Sequence, residues 1–174
     1  CMRENIPHLP DNAIIWAGLL HDIGKLSTPK DILHAPRNLT PAEKLIIQQH
    51  PNQGIDILHK YTPNIPTPII QATQLHHEQW GGGGYPNKLK GTNSPPIARL
   101  CQICDIFEAM TSKDRDYRTP DSIDNTKRLL KQFSGTIIDP HMYQAFMAIP
   151  DTIIKNIIID NQIPKPIQRI IDPI

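Results

Sequence analysis

Five prolines in this chain stand directly behind a side chain that can cap a helix. Thr40-Pro41, Thr67-Pro68, Ser94-Pro95, Thr119-Pro120 and Asp139-Pro140 share one form: an oxygen acceptor, then proline, then a stretch of helical apolar spacing. The hydroxyl or carboxylate can satisfy the orphan N–H groups of a first turn. Proline fits there because its missing N–H had no partner. Glu43, three residues after Thr40, completes a capping box. The chain carries 18 prolines in 174 residues, about twice the ~5% norm. Placed this way they start helices and do not disorder the chain.

The apolar spacing agrees. Ile14, Ile15, Gly18 and Leu19 lead into His21-Asp22 at helical spacing. Leu45, Ile46 and Gln49 follow the cap at Thr40. Ile69, Ile70, Thr73 and His77 share one stripe, and Ile97, Leu100, Cys101 and Cys104 another. Strand-type alternation is nowhere sustained. The pattern predicts about seven helices, near 12–25, 41–50, 52–60, 68–79, 95–112, 120–133 and 140–149, with Pro51 parting the second from the third. The Ile-rich, Pro-interrupted stretch 151–174 reads as a docking helix plus tail. The expected fold is all-α, one compact bundle over residues 1–174.

Composition removes several function classes. Hydrophobic residues are 39% and charged residues 20%, which is globular and not disordered. No apolar run approaches the ~20 residues of a membrane span, and no secretory signal opens the chain. A net charge of +1 gives no general grip on a DNA or RNA polymer. Three cysteines make no disulfide framework, so a reducing cytoplasm is expected. The chain opens on Cys1 and reads as a fragment of a longer protein.

Six residues carry the chemistry. His21, Asp22, His50, His76, His77 and Asp105 each fall on or at the end of a predicted helix, on its apolar side or next to it. Buried unpaired imidazoles and carboxylates are costly, and a metal centre is a common partner for all six. Imidazole with carboxylate, and no paired thiolates, favours Fe, Mn or a similar ion over structural Zn. Successive helical residues point about 100° apart, so neither His21-Asp22 nor His76-His77 should aim at one point. Adjacent pairs suit two neighbouring metals with a carboxylate between them, a device for in-line displacement at phosphorus. His8, His34, His59 and His141 are expected to be ordinary core or surface histidines.

The sequence resembles the HD-GYP family, phosphodiesterases of bacterial cyclic-dinucleotide second-messenger signalling, from about Ile14 to Phe146. The likeness rests on His21-Asp22-Ile23-Gly24-Lys25, His50-Pro51 with Gly54, His76-His77-Glu78, Gly84-Tyr85-Pro86, Ala98-Arg99, Asp105 to Thr111, and Arg115, Tyr117 and Arg118. The intervals His21–His50, His50–His76 and His77–Asp105 are 29, 26 and 28 residues. The resemblance implies that the six residues are metal ligands with Asp22 as the bridge. It implies two divalent ions, Fe or Mn, with a third in some relatives held upstream of Cys1. Lys25 matches the lysine on the scissile phosphate, where a cation stabilises growing charge. Arg115 and Arg118 match positions that hold phosphates or guanine edges. Tyr85 and Pro86 belong to the signature loop, linked to shaping the site and to diguanylate cyclase partners. An upstream regulatory domain is a further family expectation.

The implied activity is hydrolysis of cyclic di-GMP to linear pGpG, with a second cut to GMP left open, and with Asp22 and Lys25 as catalytic residues. The alternatives are another cyclic dinucleotide as substrate, or a receptor or docking module without turnover. Three features depart from the family or stand apart. Gly81-Gly82 replaces the usual Asp-Gly, so four consecutive glycines predict a loose loop. Lys113 is an extra residue that displaces Arg115 by one. Cys101-Gln102-Ile103-Cys104 reads as packed core cysteines. Trp80 is read as a core anchor or a stacking platform, and Glu78 as a support for a ligand or a solvated helix-end carboxylate.

Overall fold

The computed structural model describes residues 11–112 and 119–159. Among them the chain is helical, as expected, with no named strand: α1 (Asp11–Leu20), α2 (Lys30–Leu33), α3 (Pro41–Ile47), α4 (His50–Tyr61), α5 (Thr67–Leu75), α6 (Pro96–Thr111), α7 (Ile123–Phe133), α8 (Pro140–Met147) and α9 (Asp151–Ile159). Short 3-10 turns cover Ile23–Ser27 and Gly91–Asn93. No described helix is long and apolar enough to cross a membrane.

The capping chemistry acts at some of its expected places. Thr40 Oγ1 accepts from the Glu43 amide at 3.3 Å, and Glu43 Oε2 accepts from the Thr40 amide at 2.8 Å. Asp139 Oδ1 accepts from the His141 amide at 2.8 Å. At α5 and α6 the cap position is taken by Pro66 and Pro95, so Thr67 and Ser94 do not cap. Thr119-Pro120 does not start a helix: Ser122 caps α7 by accepting from the Asn125 amide at 3.2 Å. Pro51 lies in the first turn of α4 instead of the gap before it.

Two differences bear on the site. α1 ends at Leu20 and α5 at Leu75, where helices running to residues 25 and 79 were expected. Each of the adjacent pairs His21-Asp22 and His76-His77 therefore stands at a helix end. The rule of 100° between neighbours does not govern residues that have left the helix.

α6 runs through the middle and serves two apolar clusters. Ile103, Phe107, Leu130, Ile138, Met142, Phe146 and Ile154 form the larger one, beneath α7, α8 and α9. Ala17, Ala72, Ile97 and Cys101 form a smaller one between α1, α5 and α6. Leu100 packs against both. Arg99 on α6 makes a buried ion pair with Asp139, the cap of α8, and its guanidinium lies 5.6 Å from the centre of the Trp80 ring. The Trp80 ring is half-buried against that guanidinium, and its backbone N–H donates to the Ile137 carbonyl at 2.9 Å.

Candidate metal centre

The turn after α1 is pressed onto the start of α4. A Cβ at Gly24 would fall 1.8 Å from the His50 carbonyl oxygen and 2.5 Å from the Gly54 amide nitrogen. Only glycine permits that crossing, and it brings Asp22 to His50. The end of α5 supplies His76 and the residue beyond it, His77. Asp105 comes from the fourth element, α6.

The structure brings all six residues together. Asp22 Oδ1 is 3.2 Å from His50 Nε2 and 3.7 Å from His76 Nε2. Asp22 Oδ2 is 3.3 Å from His21 Nε2, and His21 Nε2 is 3.8 Å from Asp105 Oδ1. The potential donor atoms fall into two groups, Asp22 with His50, His76 and His77, and Asp22 with His21 and Asp105, each within 4.8 Å. Asp22 belongs to both. His76 and His77 share one group, against the expectation from helical geometry, because His77 lies past the end of α5. The rings of His76 and His77 have centroids 4.0 Å apart.

Three of the imidazoles have their tautomer set by the backbone. His21 Nδ1 lies 2.7 Å from the Gly18 carbonyl, His50 Nδ1 2.8 Å from that of Ile47, and His76 Nδ1 3.0 Å from that of Ala72. A carbonyl only accepts, so each Nδ1 is the donor and Nε2 is turned to the centre. His50 Nε2 and His76 Nε2 then face each other at 3.3 Å across a carboxylate. His50 and His76 are fully buried. His21 Nε2 and Asp22 Oδ1 are buried without a well-aligned hydrogen bond. Lone pairs converging on a carboxylate repel unless positive charge lies among them. This donor set fits divalent cations.

The clustered imidazoles and carboxylates also shift one another's protonation. Burial alone would raise the Asp22 pKa, but His21, His50 and His76 outweigh it and hold this carboxyl far below its usual range. Burial alone would lower His21, but Asp105 and Asp22 lift it to about 10. Burial, with His76 and His50 beside it, lowers His77 to about 3, so its imidazole is neutral. Asp105 is held below its usual range, His21 outweighing burial.

The sequence profile of the HD domain matches residues 1–142. The chain belongs to the HD domain family. It is 33% identical over 131 residues to a 3'3'-cGAMP-specific phosphodiesterase 2 of Vibrio cholerae, covering 75% of this chain and 25% of that protein. It is 35% identical over 136 residues to a cyclic di-GMP phosphodiesterase of Thermotoga maritima, covering 78% of this chain and 37% of the relative. The chain thus spans about a quarter to two-fifths of those relatives. The crystal structure of a cyclic GMP-AMP specific phosphodiesterase of V. cholerae superposes with a TM-score of 0.58 over 95% of this chain and 44% of that one, at 16% identity. The fold is shared, and the HD-GYP resemblance stands.

In this HD domain the other expected residues are distributed as follows. Lys25 Nζ donates to Asp22 Oδ2 at 2.5 Å, part-exposed at the rim. Tyr85 stacks on His77, centroids 4.6 Å apart and planes 23° apart. The Tyr85-Pro86 peptide bond is cis. Arg115 and Arg118 lie outside the described residues. His34, His59 and His141 are exposed and away from the centre.

The glycine run is not the loose loop expected of it. Gly81 N–H donates to the Thr136 carbonyl at 2.7 Å and Gly82 N–H to that of Gln79 at 2.8 Å; beyond the run, Gly91 N–H donates to the Trp80 carbonyl at 2.8 Å. Glu78 is buried, not solvated, and accepts from the Asn87 and Leu89 amides. Sequence reading missed Gln102, whose buried side-chain amide donates to the Glu78 carbonyl; its signal was a polar residue on an apolar face one turn before Asp105.

The cysteine reading is half corrected. Cys101 is buried, while Cys104 is exposed. One turn on and next to Asp105, Cys104 faces a cleft of about 470 Å³ shared with Ile14, Leu100, His21, Asp22 and Asp105. A second cleft of about 360 Å³, lined by His77, Tyr85, Gln102, Asp105, Met110 and Phe133, opens on the other side of Asp105.

Proposed function

We propose that this HD domain is a metal-dependent phosphodiesterase that hydrolyses cyclic di-GMP to linear pGpG and then to GMP. The observation that carries the reading is Asp22: one carboxylate shared by two groups of donors whose imidazoles are locked with Nε2 inward. Its metal ligands are His21, Asp22, His50, His76, His77 and Asp105. Two such cations, Fe or Mn from the mixed imidazole–carboxylate donors, supply Lewis-acid charge to the phosphoryl and attacking oxygens.

The residues of the chain do the rest. Asp22 fixes the spacing of the two groups, each of its oxygens facing one of them. The carbonyls of Gly18, Ile47 and Ala72 hold the imidazole planes. Lys25, at the rim, can shift its ammonium from Asp22 to a phosphoryl oxygen as charge grows there. Clefts on either side of Asp105 give the substrate's two nucleoside arms room, with Tyr85 and Pro86 beside one and Arg115 and Arg118 as phosphate or guanine contacts. A water oxygen adds to phosphorus and gives up its proton to solvent, the P–O3' bond breaks, and the 3' oxygen takes a proton from solvent.

A second substrate is favoured by one observation: relatives at 33% and 35% identity are named for 3'3'-cGAMP and for cyclic di-GMP respectively. The whole chain, loaded with Mn²⁺ or Fe²⁺ under reducing conditions, is assayed on both nucleotides. Asp22→Ala is expected to lower turnover by more than the roughly 10- to 100-fold typical of outer-shell changes, with circular dichroism unchanged. Wild-type turnover by that variant would refute the assignment. Binding of either nucleotide with no product would make the domain a receptor. The domain is further proposed to be one part of a longer regulated chain.

A further inference from the structure

Glu78 is 2% exposed, although it follows directly on His77. A buried carboxylate is costly unless it is bonded, and both of its oxygens bond one loop. Oε1 accepts from the Asn87 amide at 2.6 Å and Oε2 from the Leu89 amide at 2.7 Å. Between those anchors and His77 the chain turns at Gly84. A Cβ there would lie 2.4 Å from both the Gln79 nitrogen and the His77 oxygen, so the loop passes as close to residues 77–79 as a backbone can. Tyr85 N–H then donates to the His77 carbonyl at 3.2 Å, and the Tyr85 ring lies nearly parallel to the His77 imidazole at 4.6 Å.

His77 differs from its neighbours in how it is held. His21, His50 and His76 each tether Nδ1 to a backbone carbonyl. Among the described hydrogen bonds His77 has no such tether. The face of its ring rests on Tyr85 instead, and Tyr85 sits on the loop that Glu78 clasps.

We infer that Glu78 is a positioning residue for His77, acting through the Gly-Tyr-Pro loop to seat Tyr85 against the imidazole and fix its plane. The inference rests on the proposed metal reading of His77. It assigns the tyrosine a supporting face.

The test is Mn²⁺ titration of the chelator-stripped whole chain by calorimetry, with circular dichroism as the check on folding. Wild type is expected to bind two ions. Glu78→Gln keeps one acceptor and puts a donor against the second loop amide. It is expected to weaken one of the two ions roughly 10- to 100-fold, the scale of outer-shell effects. Tyr85→Leu should weaken the same ion, Tyr85→Phe should restore it, and Glu78→Gln with Tyr85→Leu should be no worse than the weaker single variant, because the two act in series. Additive losses, or wild-type binding by Tyr85→Leu, would overturn the inference. If Glu78→Gln does not fold, Tyr85→Leu against Tyr85→Phe decides alone. Should wild type bind two ions and every variant match it, this inference fails and the metal reading survives. Should wild type bind none, the metal reading itself fails.

Discussion

Gly18 and Gly24 are six residues apart, one in α1 and the other in the turn that follows it, yet alanine should have opposite effects at the two. At Gly24 the new methyl would meet the His50 carbonyl at 1.8 Å, and backbone cannot rotate aside. The start of α4 would have to move, and His50 with it. Gly24→Ala is expected to cost about 3 kcal/mol or more, the upper end of overpacking, measured by urea unfolding. At Gly18, inside α1, nothing lies within 4 Å of the built Cβ. Gly18→Ala should stabilise by about 0.5–1 kcal/mol, the helix-interior difference between the two residues. Equal effects would contradict the crossing as described. At this scale the sequence showed which residues carry chemistry but not what holds them. The carbonyls of Gly18, Ile47 and Ala72 are partners through local backbone geometry, and no residue type announces them. Glu78 was ambiguous because its burial depends on a loop that folds back nine to eleven residues later.

For the elements, α3 shows how a local signal survives folding. Thr40 and Glu43 form the box that the spacing predicts, and Arg37 adds a two-pronged ion pair to the same carboxylate, at 2.8 and 2.7 Å. Arg37 and the Thr40 groups together pull the Glu43 pKa from 4.5 down to about 2. A carboxyl lowered on folding contributes stability that is present above its unfolded pKa and lost as pH falls through the folded one. The charge-specific advantage of wild type over Glu43→Gln should therefore be present near about pH 6 and vanish by about pH 2. The midpoint difference between the two in thermal unfolding at each pH checks it; a constant difference would exclude the ion pair as its cause. Because the pair is exposed, the advantage should be small and reduced by salt. The starts of α3 and α8, one cap and one proline each, were legible, whereas Thr119-Pro120 gave way to Ser122. Those flanked by a second proline shifted by a residue, since Pro66 and Pro95 took the cap. The ends of α1 and α5 were not legible, because apolar spacing continued past the points where the chain turns to meet α4 and the loop.

Across the whole molecule, apolar packing and polar chemistry are unequally shared. The cluster under α7, α8 and α9 contains Ile103, Phe107, Leu130, Ile138, Met142, Phe146 and Ile154. The cluster beneath the candidate centre has fewer buried members, Ala17, Ala72, Ile97 and Cys101, with no aromatic ring among them. Around it gather desolvated imidazoles and carboxylates, whose burial opposes folding unless charge is balanced. The half built from α1, α4 and α5 should therefore depend on bound cations, and the other half should not. A ligand at about 100 times its Kd adds about 2.7 kcal/mol to whatever state binds it. Local opening exposes each half with its own free energy. Adding Mn²⁺ to the stripped chain should therefore slow amide hydrogen exchange in α1, α4 and α5 by up to about 100-fold, with α7, α8 and α9 little changed and α6 graded along its length. Equal slowing in all of these helices would show one cooperative unit, in which α6 couples the two clusters too tightly for either to open alone.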